Sequence, residues 1–283
     1  MSRIRIVADS TCDLSKELIE KYDISIIPLC IVMGDKSYYD GLETTPDEIF
    51  AWADANKTTP KTAAVTMEKT EEILSPFMEA GDDIIFFGIS GEMSTTCNVV
   101  RLVGEEKEYD RLFIIDSRNL STGIGLQVIR AAELAAAGKS AAEIVDQING
   151  AKDKVRASFV VDTLTYLARG GRCTAATALL ANTLKLHPEI VVSDGKMGVS
   201  KKYRGSLDSA LSKYVKELQE EMLQADPARV FITHSGCSQE TLDKVYDFVK
   251  ALNYFEEIHI TRAGGVISSH CGPATLGVLF YAK

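Results

Sequence analysis

IIFFGISGEMSTTCN, residues 84–98, starts as an unbroken apolar run and ends as a cluster of hydroxyls. Residues 84–89 read as a buried strand, Ser90-Gly91 as a turn, and Ser94, Thr95 and Thr96 as the start of the next helix, whose first amides have no partner within the helix. Strand, loop and helix in that order are the building unit of an α/β sheet. The helix start also has a chemical meaning. Unpaired N–H groups and the helix macrodipole favour an anion there, a phosphate or a carboxylate, and three hydroxyls supply further donors. The competing reading is that Ser94 simply caps the helix.

The same alternation extends in both directions from this stretch. Residues 4–8 read as a first strand, 14–22 as a helix with Leu14, Leu18, Ile19 and Tyr22 inward, and 24–33 as a second strand. Thr45-Pro46-Asp47-Glu48 has capping-box spacing with Pro at the first helical position, and residues 56–62 follow its helix as a polar loop. A helix over 66–80, a strand over 112–115, an Ala-rich helix over 122–137 stopped by Gly138 and a second capping box at Ser140 and Glu143 complete the first half. The pattern changes near Asn149-Gly150. Beyond it come a strand over 157–161, a helix over 175–184, two strands around the hairpin signal Asp194-Gly195, an amphipathic helix over 207–223, and a β, α, β run at 230–233, 242–252 and 258–261.

The chain has 283 residues, of which 46% are hydrophobic, enough for one large or two medium α/β domains with a real core. A net charge of -9 argues against nucleic acid as a partner. The N-terminus reads as a strand rather than a signal peptide, and the longest apolar stretch, broken by Ser25 and Pro28, is too short to span a bilayer. The six cysteines stand singly along the chain and read as reduced thiols, so a cytoplasmic location is expected.

Glycine-rich dinucleotide and P-loop signatures, the HExxH helix and the GxSxG elbow are all missing from the sequence. His234, Cys237, His270 and Cys271 have the right chemistry for zinc but not the spacing, and no metal site is expected. Cys97 and Cys271 have no identifiable base to activate them. Arg169-Gly170-Gly171-Arg172 and Lys201-Lys202 with Arg204-Gly205 place guanidinium groups beside bare backbone, an arrangement suited to an anion or an acidic partner; as plain turns they would carry solvated charge. Residues 264–277 form a Gly-rich stretch near the last strand, in which His270 alone reads as a structural histidine.

Val7-Ala8-Asp9-Ser10-Thr11, Tyr39-Asp40-Gly41, Pro60-Lys61-Thr62, Ile89-Ser90 with Met93-Ser94, Ile115-Asp116-Ser117, Asp162-Thr163-Leu164 through Gly170-Gly171-Arg172, Tyr203-Arg204-Gly205 and His270-Cys271-Gly272-Pro273 occur in that order. Together they resemble the DegV family, bacterial fatty-acid-binding proteins that serve as the carrier subunit of fatty acid kinase. The resemblance covers essentially the whole chain. It implies an α/β fold of two α/β domains, the N-terminal one (1–155) a largely parallel sheet with helices on both faces and the C-terminal one (156–283) a mixed sheet with helices. A long-chain fatty acid would lie between them as ligand, with no cofactor. The carboxylate-binding loops would belong to the first domain, and the second would cover the acyl chain.

Carried over by motif, Thr62 and Ser94 hold the carboxylate with His270 close by, and Thr95 and Thr96 belong to the same hydroxyl cluster. Arg172 and Arg204 match positions associated with docking the kinase catalytic subunit and accommodating the acyl phosphate. The chain itself would catalyse nothing, and transient contact with a membrane surface fits the role. Two departures bear on the head group: Ala63 stands where the family often has a hydroxyl, and Thr95 stands where it often has glycine. Glu92 is expected to face solvent, since an unpaired carboxylate would repel the ligand's. Two alternatives stand beside this reading, a metal-assisted hydrolase or small-molecule phosphotransferase using the same anion site, and a regulatory module for another amphipathic acid.

Overall fold

The computed structural model describes residues 3–179 and 186–283. In chain order its elements are β1 (Ile4–Asp9), α1 (Lys16–Lys21), β2 (Ser25–Ile27), β3 (Cys30–Met33), β4 (Lys36–Tyr39), α2 (Pro46–Asn56), β5 (Lys61–Ala63), α3 (Met67–Glu79), β6 (Asp83–Gly88), α4 (Thr96–Glu106), β7 (Leu112–Asp116), α5 (Thr122–Ala136) and α6 (Ala141–Ala151). They continue with β8 (Val155–Val160), α7 (Thr165–Gly170), α8 (Thr174–Leu179), β9 (Leu186–Ser193), β10 (Lys196–Arg204), α9 (Leu207–Glu217), α10 (Gln219–Met222), β11 (Ala225–Ser235), α11 (Gln239–Ala251), β12 (Glu257–Arg262), α12 (Gly265–Cys271) and β13 (Thr275–Ala282). The expected helix over 175–184 is seen only as far as Leu179, and the rest of it lies outside the described residues.

The α/β class and its two sheet types are as expected. The N-terminal sheet has the order β2-β1-β6-β7 and is parallel throughout. The C-terminal sheet, β10-β9-β8-β13-β11-β12, is antiparallel except where β11 meets β12. Between them lies α5, which contacts β1 and β6 of one sheet and β8 and β13 of the other. Every residue from 121 to 129 is buried. A helix apolar on all sides belongs in a core, and Ile124, Leu126, Val128 and Ile129 join side chains of both sheets, such as Phe86 and Phe159, in a continuous cluster. Both capping boxes form, at Thr45 with Glu48 and at Ser140 with Glu143, and Asp194 and Gly195 turn the β9–β10 hairpin with positive φ angles of 52° and 78°.

Four sequence expectations change. The strand expected over 24–33 is two strands in different sheets, because Pro28 offers no N–H to continue a ladder and Leu29 N donates instead to Ser10 Oγ. The polar loop over 56–62 ends in a short strand, β5, which pairs with β3 and sets Thr62 opposite Ile31 in a third sheet of order β4-β3-β5. The helix over 207–223 is interrupted at Leu218. The Gly-rich stretch 264–277 contains a helix, α12, whose glycines allow close packing: a Cβ at Gly265 would meet Ile31 Cδ1 at 2.6 Å and Ile49 Cδ1 at 2.7 Å.

Helix α12 is held from the far end of the chain. Asp40 accepts Gly265 N at 2.8 Å and Val266 N at 3.3 Å, while Ser10 Oγ donates to the same carboxylate at 2.9 Å. Asp13 accepts Gly264 N at 2.7 Å. Burial raises the pKa of both carboxyls, against the hydrogen bonds that favour the charged form. Replacing Asp40 with alanine leaves two buried amides and a half-buried hydroxyl without their acceptor. At roughly 1–3 kcal/mol for each such group, partly offset by relaxation, Asp40→Ala should cost about 3 kcal/mol in urea unfolding. An unchanged urea midpoint would mean that packing alone holds α12.

Candidate functional site

Four segments distant in sequence meet around a cavity of about 310 Å³, at the lower end of the range for ligand pockets. Thr62 reaches it from β5, the loop 89–95 from the end of β6, Arg172 from the α7–α8 link and His270 from α12. Leu29, Ile89, Met93, Leu120, Met197 and Ile267 make its apolar walls. A second cavity of about 30 Å³ lies behind Leu120, Ile267 and Cys271, which line both, and extends the apolar surface to Phe159 and Leu279.

The loop 89–95 is positioned by side chains that do not line the cavity. Asp9, at the end of β1, accepts Ile89 N at 2.8 Å through one oxygen and Thr11 N at 2.9 Å through the other. Burial pushes its carboxyl up to about 6, while the hydrogen bonds from Thr11 and Ile89 pull the other way. Ser90 O accepts Met93 N and Ser94 N, closing the turn, and Ser90 Oγ donates to Gly195 O of the β9–β10 hairpin at 2.7 Å. The hairpin therefore rests on this loop and brings Met197 to the cavity.

Of the residues singled out in the sequence, Thr62, Ser94, Thr95, Arg172 and His270 come together at the cavity. Thr62 Oγ1 and His270 Nε2 are 2.7 Å apart. Ser94 Oγ lies 2.9 Å from Thr96 Oγ1 and accepts Thr96 N at 3.3 Å, so it braces the first helical amide from the position before the N-cap and does not itself cap α4, while it also stands in the cavity wall. Thr95 is the N-cap of α4, makes no side-chain capping bond and faces the cavity. Thr96 is buried and does not line the cavity, and Arg204 lies elsewhere, exposed at the end of β10. Glu92 is exposed at the rim and paired with Lys196 at 3.2 Å, which offsets its charge.

Arg172 sends Nη1 to Gly170 O at 2.9 Å and Nε to Met93 O at 3.4 Å, linking the turn after α7 to the loop 89–95. Exposed and part of the lining, Arg172 brings a positive charge to the cavity wall. His270 is neutral in this setting. Burial first, and the Arg172 charge second, pull its pKa down to about 4.

The cysteine and metal alternatives find no geometric support among the described residues. No group of three or more His, Cys, Asp or Glu side chains is placed to hold a metal. His234 Nδ1 accepts Cys237 N, and Cys237 Sγ is directed to Thr275 O. Burial pushes the Cys97 thiol up to about 12 and the Cys271 thiol higher still, away from the reactive thiolate. The sequence reading missed the apolar walls. Ile89 and Met93 stood in a motif of the family resemblance and Met197 just after the Asp194-Gly195 turn; Leu29, Leu120 and Ile267 look like any other core residue.

The buried neutral imidazole makes a signed prediction. The ordinary histidine pKa is 6.5 and that of the folded chain about 4, so between those values the unfolded chain binds the proton and the folded chain does not. His270's contribution to stability is complete above pH 6.5 and lost as the pH falls toward 4. Urea midpoints of the wild type should therefore drop more steeply over that interval than those of His270→Gln. Asp9 acts with the opposite sign but is common to both chains and drops out of the comparison. Parallel curves would show that the ring is not held neutral.

Comparison with known proteins extends the geometry. The model of the DegV family, whose members carry the description uncharacterised protein, matches residues 3–283. A DegV domain-containing protein of Clostridium perfringens is 36% identical over 206 residues, covering 73% of this chain and 74% of that one. A solved DegV family protein from Thermus thermophilus, which binds fatty acid, superposes with a TM-score of 0.91 at 28% identity, covering 99% of this chain and 100% of that one. A stearic-acid-binding protein from Eubacterium ventriosum gives 0.86 at 28% identity, covering 100% of this chain and 99% of that one.

Proposed function

The chain belongs to the DegV family, and on that footing we propose that it binds a long-chain fatty acid and presents the carboxylate to a separate kinase, which forms the acyl phosphate. The observation that carries this reading is one cavity with two kinds of wall. Its polar lining is made by the hydroxyls of Thr62, Ser94 and Thr95, the neutral His270, the Arg172 guanidinium and Glu92, which is paired with Lys196; the rest of the lining is apolar and borders a second cavity. A carboxylate suits the first and an alkyl chain the second. The fatty-acid-binding relatives from Thermus thermophilus and Eubacterium ventriosum share the fold at full length.

The two ends divide the energetics. About 15 buried methylenes at about 0.8 kcal/mol each give roughly 12 kcal/mol of gross transfer free energy, before the cost of ordering the chain. Hydrogen bonds to a charged carboxylate add about 1.5–3 kcal/mol each, so Thr62 and Ser94 select the head group and set its direction more than they create affinity. In this reading the chain is a carrier and not itself an enzyme. It shields a tail that water rejects and holds the reacting oxygen in place for the partner, which supplies ATP and magnesium. Arg172 sits where it can meet both carboxylate and acyl phosphate. Arg204, exposed and away from the cavity, suits contact with the kinase rather than with the ligand. No helix among the described residues is long and apolar enough to cross a membrane, and the proposed setting is cytoplasmic, with passing contact at a membrane surface to collect or deliver the acid. The proposed division of labour assigns the loops to 1–155 and the cover to 156–283, with His270 and Arg172 contributed to the head-group end by the second part.

Native mass spectrometry of the purified chain, followed by denaturation and identification of what is released, tests the ligand. A stoichiometric C16 to C18 fatty acid is expected; bound zinc without lipid would overturn the reading. Ser94→Ala should weaken hexadecanoate binding about ten- to a hundredfold, as loss of a bond to a charged group implies, and lower stability by only about 1 kcal/mol through the lost bond to Thr96 N. Wild-type affinity in that variant would remove Ser94 from the site.

A further inference from the structure

Helix α7 ends in two consecutive glycines, and only one of them is explained by its backbone. Gly171 has φ +69°, the left-handed conformation that closes many helices. Gly170 is the last residue of the helix and has no positive φ, so its backbone does not call for glycine. The reason for a glycine there lies across the packing interface. A Cβ on Gly170 would stand 2.2 Å from His270 Nδ1 and 3.0 Å from its Cε1. The imidazole occupies the space a side chain would take.

We propose that Gly170 is a positioning residue that sets the tautomer of His270 and, through it, directs the Thr62 hydroxyl proton at the bound carboxylate. This rests on the carboxylate-binding reading given above. His270 Nδ1 is buried and has no hydrogen-bond partner among the described residues. What faces it is the bare Cα of Gly170, whose own carbonyl accepts from Arg172. A proton on Nδ1 would be driven against C–H groups with nothing to accept it, whereas a lone pair there meets only a weak C–H donor. The ring is neutral and has one proton to place, and that proton belongs on Nε2.

The consequence falls on Thr62. With Nε2–H donating to Thr62 Oγ1 across 2.7 Å, the hydroxyl has accepted and its own hydrogen is left to donate. Thr62 lines the same cavity as Ser94, so that hydrogen is available to a carboxylate oxygen bound there. The other tautomer reverses the bond: Thr62 would give its hydrogen to the ring and turn only lone pairs toward an anion. The tautomer therefore decides whether the site has one more donor or one more repulsive oxygen, a difference of roughly ten- to a hundredfold in affinity for a hydrogen bond to a charged group.

Long-range ¹H–¹⁵N correlation spectra of the ligand-free wild type, with the four histidines assigned by substitution, read the tautomer directly. The expected result is a His270 ring protonated on Nε2 alone at pH 7. A proton on Nδ1, or on both nitrogens, overturns the proposal. Hexadecanoate titrations then test the consequence. Gln places its amide nitrogen where Nε2 stands and Asn where Nδ1 stands, so His270→Gln should bind at least tenfold more tightly than His270→Asn; equal affinities would remove the directional role. Gly170→Ala should alter the His270 signature and weaken binding about tenfold or more, and a variant unchanged in both would remove Gly170 from it. An Nε2–H signature in a wild-type chain that binds no hexadecanoate would overturn the fatty-acid reading and the donor role of Thr62 together. An Nδ1–H signature in a chain that does bind it would overturn the tautomer alone.

Discussion

The carboxylate of Asp40, buried at the N-terminus of α12, is the interaction on which the site depends. It joins residue 40 to residues 265 and 266 through two backbone amides, with Ser10 completing the set, and Asp13 holds the preceding residue, Gly264. Burying these carboxyls is costly, as their raised pKa values record, and the cost is met only by donors in fixed places. A partly satisfied network would be worse than an apolar contact, so the arrangement specifies one seat for α12. His270, near the end of that helix, is thereby brought to Thr62 on the small third sheet.

Asp9 does for the loop 89–95 what Asp40 does for α12. Both belong to motifs by which the chain resembles its family, Asp9-Ser10-Thr11 and Tyr39-Asp40-Gly41, yet neither lines the main cavity. Their chemistry is that of clamps. The polar groups that line the cavity are mostly neutral, hydroxyls and a desolvated imidazole, beside the Arg172 guanidinium and the Glu92 carboxylate paired with Lys196. Around it the β9–β10 hairpin is tied down by Ser90 Oγ and by the Lys196 to Glu92 and Arg118 to Asp194 ion pairs, the last two exposed and weak in salt. Met197 is thus held over the cavity by a mixture of one buried bond and two solvated ones.

Local rules were enough for much of the fold. The apolar run at 84–89, the two capping boxes and the Asp194-Gly195 turn each act within a few residues, through backbone geometry and nearby hydrogen bonds, and each appears where its pattern says. The α/β alternation follows from them, as does the change from a parallel to a mixed sheet. The hydroxyl cluster Ser94, Thr95 and Thr96 was likewise legible as the start of the helix that follows it, and the first two line the cavity.

What stayed hidden was set by distance. Helix α12 was masked by glycines whose purpose, close approach to Ile31 and Ile49, exists only once those side chains are beside it. Pro28 marked a break, but not that the chain would leave one sheet for another. His270 read as an ordinary structural histidine until Thr62, 208 positions away, and Gly170 were brought against its two ring nitrogens. The amino-acid sequence by itself determined the elements and the kinds of group available, because propensity, capping and periodicity are short-range. Only the tertiary structure decided which groups share a cavity and which nitrogen of the imidazole has a partner, because contact and desolvation are properties of neighbours in space.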